Sequence, residues 1–275
     1  MGSKRRRHFR ISRFWPSPRS RRRLWKKYRS VPLWLRIGLT LGAMAGVWLI
    51  VNVIYQVVRK PTELLFPVSG TLNKTPIRTW QQYGPLFRSD ATPIITAELL
   101  AALAQVEASG NPVARTYWRW SLTIHPLQIY RPASSAVGMY QLTDSTFAEA
   151  RKYCIRDHRV VEQGAWDDWH ACWFNSLYLR IVPAHAVELT SAYLDRAVTA
   201  VLLRQHVHSA SLARQQQLAA VIHLCGAGTA DQFVRRGFRF AEEQYCGDQL
   251  AAVYIARVEG MRALFTRLAA QDPED

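Results

Sequence analysis

The chain has 275 residues, about half of them apolar, enough for one sizeable core and one further element. Its net charge of +16 is uneven: 16 of the 36 Lys and Arg lie in residues 1–60, which hold no Asp or Glu, and the other 20 are matched by the 20 acids of residues 61–275. That division excludes a uniformly basic nucleic-acid-binding domain, because the part large enough to fold is neutral.

The first 36 residues include "KRRRHFRISRFWPSPRSRRRLWKKYRS", rich in Arg, Pro and Ser and without an apolar period, which predicts a segment disordered on its own. "IGLTLGAMAGVWLIVNVIY", Ile37 to Tyr55, then runs for nineteen residues without a charge. At helical rise this covers about 28 Å, close to a bilayer core, so residues 37–58 are expected to be a transmembrane helix. The cations ahead of it outnumber Arg59 and Lys60 behind it, which predicts a cytoplasmic N-terminus and an extracytoplasmic domain. The apolar stretch exceeds the core of a cleavable signal, and an uncleaved anchor is expected. The basic tail then serves topology and anionic-lipid contact; nucleic acid is disfavoured as a partner.

Residues 59–92 hold four prolines and little periodicity, and read as a linker. From residue 93 to about 268 the apolar residues recur at three and four, in "PIITAELLAALAQVEA", "DSTFAEARKYC", "HAVELTSAYLDRAVTAVLLRQHV", "ARQQQLAAVIHLC" and "DQLAAVYIARVEGMRALFTRLAA". Strand signals are weak, so the expected class is mainly α. Asp144 is expected to cap the helix that starts near Phe147, and Gly226 and Gly228 to end the one through His223. All four cysteines follow the apolar span, which suits an oxidising compartment. Sequence leaves three pairings open, of which the local one, Cys154 with Cys172 and Cys225 with Cys246, is preferred. No metal-ligand spacing and no phosphate loop is present, so neither metal nor organic cofactor is expected.

One acid stands out. Glu107, in "QVEASGNP", sits in the last turn of an apolar helix that Gly110, Asn111 and Pro112 bring to an end. The helix macrodipole disfavours a negative charge there, and an apolar wall adds to the effect, an environment suited to a general acid. Downstream, "SSAVGMYQLTDSTF" puts Gly138, Met139, Tyr140 and Gln141 just ahead of a helix. With "EASGNP", "GMYQLTDSTF" and "YIARV" in that order, the sequence resembles the SLT-type lytic transglycosylases, related to goose-type lysozyme.

The resemblance covers residues 93 to about 265 and implies a lysozyme-like helical domain that cleaves peptidoglycan glycan strands with a single carboxyl. It makes Glu107 the catalytic acid and then base, Gln141 a substrate hydrogen-bonder, and Met139 and Tyr140 part of the cleft floor. Tyr254 would touch the acetamido group or Glu107 from the opposite helix. The chain also departs from the family. Ala108 replaces the Ser that polarises the acetamido group, with Ser109 one position late; "IHLCG" puts His223 and Leu224 where the family has Tyr and Asn; and a long insertion containing "RTYWRWSLTIHPLQIYRP" separates Glu107 from Gly138. Two other readings stay open: a muramidase using Asp167 or Asp168 as second carboxylate, and a wall-binding scaffold within an envelope-spanning assembly.

Overall fold

A computed structural model describes residues 18–271 apart from 163, 166, 169 and 170. The first 17 residues of the basic tail lie outside the described residues. The chain divides into two compact units, residues 1–55 and 56–275.

In the first unit, α1 (Pro18–Ser30) occupies sequence expected to be disordered. Pro18 stands at its first position, where the missing N–H costs nothing, and the Arg, Lys and Leu that follow are good helix formers. Next, α2 (Leu33–Arg59) runs for 27 residues and is long and apolar enough to cross a membrane. Its apolar side chains, Ile37, Leu41, Val47 and Ile50 among them, are exposed, unlike those of a core helix.

The second unit shows that residues 59–92 are no linker. A 3-10 turn (Pro61–Leu65) and a short helix, α3 (Phe66–Ser69), lead into α4 (Pro76–Ser89). The prolines that suggested irregular chain mark starts instead: Pro76 takes the first helical turn behind the capping Thr75, whose side chain accepts from Arg78 N. Trp80, Tyr83 and Phe87, three and four apart, are buried on one face, and the Trp80 ring lies 5.8 Å from that of Phe265. The domain therefore begins near Gln56, and removing α4 would open its core.

At the centre lies α5 (Ala97–Ala108), whose Leu99 to Ala104 are all buried. A helix apolar all round needs neighbours on every side. Here α4 and α9 (Ala251–Ala269) pack against it, and α7 (Pro183–Arg204) packs along α8 (Leu212–Arg235). Leu99, Leu100 and Leu103 together contribute about 5–9 kcal/mol of burial. The helix α6 (Asp144–Ala150) is shorter than its period suggested, and Thr143, not Asp144, caps it by accepting from Thr146 N.

Among the described residues three antiparallel hairpins complete the unit: β1 (Trp118–Trp120) with β2 (Tyr130–Pro132), β3 (Tyr153–Arg156) with β4 (Arg159–Glu162), and β5 (Tyr245–Cys246) with β6 (Gln249–Leu250). The long insertion is the first of these. In the second, Asp157 and His158 both take positive φ, as a tight two-residue hairpin turn requires. Disulfides join Cys154 to Cys172 and Cys225 to Cys246, the local pairing.

Candidate active site

Glu107 reaches its position through the way α5 stops. Ser109 adopts the left-handed conformation at φ 51°, and Gly110 N donates to Ala104 O while Ser109 N donates to Gln105 O. The bond from the left-handed Ser109 to Gln105 O is that of an αL-type helix end, and it turns the chain away just after Glu107. Gly110 is obligatory twice over: its φ is +64°, and a Cβ there would lie 2.3 Å from Thr79 Oγ1.

The segment before α4 grips this turn. Lys74 N donates to Ser109 O at 2.8 Å, Gln105 Nε2 to Lys74 O at 3.0 Å, and Thr79 Oγ1 to Gln105 Oε1 at 2.7 Å. Asn111, buried, donates to Ser69 O and to Asn73 Oδ1, and accepts from Val113 N at 3.0 Å. These positioning residues were missed from sequence; "PIRTWQQYGPLF", with Trp80, Tyr83 and Phe87 at helical spacing, was the signal that could have revealed them.

Among the described residues two groups meet the Glu107 carboxylate. Tyr254 on α9 donates its hydroxyl to Oε1 at 2.5 Å, and His223 Nε2, on α8, lies 3.5 Å from the same oxygen. Both partners are nearly enclosed, while the Glu107 side chain keeps 13 % of its surface open. Burial, then the neighbouring carboxylate, holds the Tyr254 phenol well above its usual range, so it serves as a neutral donor. His223 stands three residues before Gly226, whose φ of 78° and ψ of 171° kink α8. The helix end expected there is instead this kink, with helix on both sides.

The Gly138–Gln141 loop is a tight turn fixed from several sides. Gly138 N donates to Ala114 O at 2.9 Å, and Val137 and Leu142 exchange backbone hydrogen bonds. Gly138 has φ +83°, and a Cβ would stand 2.3 Å from the Arg180 carbonyl oxygen. Arg180 donates to Ser135 O and Leu142 O and pairs with Asp144 at 2.7 Å. Gln141, itself at φ 46°, spends its amide on Gly138 O and Ala114 O. Its amide N–H groups thus hold the loop together.

The side chains of Met139 and Tyr140 do not line a cleft. Both are wholly buried in the core, so their side chains back the loop and do not face a ligand. Ser109 contributes a helix cap through its backbone. Asp167 and Asp168 are exposed in the connection after β4, where Ala171 N donates to Asp168 O. Among the described residues no group of three or more His, Cys, Asp or Glu is arranged to hold a metal.

Neither a protein-family model nor a curated protein sequence matches the chain.

Proposed function

We propose that the chain is a membrane-anchored peptidoglycan lytic transglycosylase, cleaving the bond from MurNAc to GlcNAc and leaving 1,6-anhydromuramyl ends. In this reading α2 crosses the bacterial inner membrane with its N-terminus in the cytoplasm, and the domain from Gln56 onward is periplasmic. The observation that carries the proposal is the hydrogen bond from Tyr254 to Glu107, since it joins the first and last of the three motif pieces at one carboxylate.

Glu107 gives its proton to the glycosidic oxygen as that bond breaks, and the acetamido oxygen of MurNAc closes on its own anomeric carbon. The Glu107 carboxylate then takes the proton of the C6 hydroxyl, whose oxygen displaces the acetamido oxygen from the anomeric carbon. The proton returns to Glu107 and no water is consumed, so one carboxyl suffices. Tyr254 is a positioning residue: by donating to Oε1 it stabilises the charged stage and leaves Oε2 to carry the transferred proton. The groups beside Glu107 are a phenol and an imidazole, which fits a one-carboxyl mechanism better than a hydrolase pair.

The test is mass spectrometry of purified peptidoglycan digested with the full chain in detergent, beside a Glu107→Gln variant of equal thermal stability. Anhydro-ended fragments that disappear in the variant are expected. Hydrated reducing ends would point to a muramidase, and absence of any cleavage by folded protein to a wall-binding role.

A further inference from the structure

The β1–β2 hairpin has a feature that glycan cleavage does not use. Its tip, between Trp120 and Gln128, shows Leu122 with 108 % and Ile124 with 93 % relative exposure, more than any other large apolar side chain among the described residues. The tip is nonetheless built: Ser121 N donates to Ile129 O, Gln128 N to His125 O, and the Tyr130 ring lies 4.8 Å from Trp120 and 5.1 Å from Trp118.

The hairpin is also tied to the residues that directly follow the apolar span. Gln56, in the last turns of α2 and buried, donates Nε2 to Leu127 O at 2.6 Å, at the tip itself. The Lys60 ammonium donates to Ser134 O and Ala136 O beyond β2, and pairs with Glu63 at 3.2 Å. Buried Glu63 in turn holds Arg115 at 3.0 Å and Trp118 Nε1 at 2.9 Å, ahead of and within β1. Tip and strands are therefore fixed to Gln56, Lys60 and Glu63, the first stretch of the second unit, which follows the apolar span directly in sequence. Residues 117–131 contain Arg119 and Arg131 and no acid, a balance that suits phosphate headgroups and disfavours a basic protein partner.

We propose that the hairpin tip lies in the interfacial zone of the bilayer that α2 crosses, with Leu122 and Ile124 in the headgroup–acyl boundary and the two arginines among phosphates. Solvent exposure of two aliphatic side chains on a tip bonded to Gln56 is costly, and lipid burial removes that cost. The inference rests on α2 spanning a membrane and is independent of the transglycosylase reading.

The test uses the full chain in vesicles of phosphatidylethanolamine and phosphatidylglycerol. Since all four native cysteines are in disulfides, a single added cysteine can carry an environment-sensitive fluorophore, at Leu122→Cys or, as control, at exposed Leu203→Cys. Quenching by lipids spin-labelled near the headgroup is expected to be at least about threefold stronger at 122 than at 203, with a blue-shifted emission. A label at Thr123→Cys should be quenched likewise, and should lose that quenching when Leu122→Ser and Ile124→Ser are added. Equal weak quenching at 122 and 203, in protein that floats with the vesicles, overturns the inference alone. A blue shift that follows protein-to-lipid ratio without lipid quenching would show a second copy on the tip and also overturn it. Failure to float overturns it together with the membrane span.

Discussion

Asn111→Ala tests whether the chain ahead of residue 93 belongs to the folded domain. The Asn111 side chain is buried and makes three hydrogen bonds, to Ser69 O, to Asn73 Oδ1 and from Val113 N, and two of them cross to the segment before α4. At about 1 kcal/mol per bond, with some added cost for partners left buried without one, the substitution should destabilise by about 3–4 kcal/mol. For a unit of this size that is a fall in Tm of about 6–16 °C. Circular dichroism melting of a chain beginning at Gln56, with limited proteolysis between residues 61 and 75, reads both the loss and its location. A shift below about 2 °C would refute the docking of this segment. So would a chain beginning at Pro93 that melts like the longer one, since it lacks the buried Trp80, Tyr83 and Phe87.

Tyr254→Phe removes the donor from the Glu107 carboxylate and should lower kcat about 10- to 100-fold on glycan strands with little change in KM, the value of a hydrogen bond to a charged group; unchanged kcat would deny Tyr254 its positioning role. Gly138→Ala forces a Cβ against the Arg180 carbonyl at positive φ and should cost about 2–4 kcal/mol in urea unfolding, whereas Gly228→Ala, with open space around it, should be close to neutral. Burial, then the Glu188 carboxylate, pushes the Asp90 carboxyl up to about 7 from 3.8. Its stabilising contribution is thus complete below pH 3.8 and is lost as pH rises through about 7, roughly 1–2 kcal/mol after allowing for partial exposure. Asp90→Asn should flatten that part of the stability profile, as measured by melts from pH 4 to pH 8.

What the sequence made legible was chiefly what repeats at three and four. The central helix through Glu107, the long α7, and α9 with its Tyr254 follow from apolar spacing, and the short motifs paired Glu107 with Tyr254 across 147 positions. The helix α4 was hidden because Pro76 and Pro85 read as breakers, although one opens the helix and the other sits inside it. In the Gly138–Gln141 turn, sequence could order the residues but not say which way each side chain faces. Met139 and Tyr140 went inward, where a tight turn has room only against the core. The stretch "DSTFAEARKYC" misled because a helix of seven residues passes straight into a strand, and Cys154 is held there by its disulfide to Cys172.

Cys225 stands two residues after His223, and Cys246 eight residues before Tyr254, so one covalent bridge closes the stretch of chain between the two side chains that meet Glu107. Until that bond forms, the 21 positions from Cys225 to Cys246 have no covalent short cut. The carboxylate's surroundings are thereby braced by a bond that only oxidation can form. With the two thiols reduced, His223 and Tyr254 would be held together by packing alone.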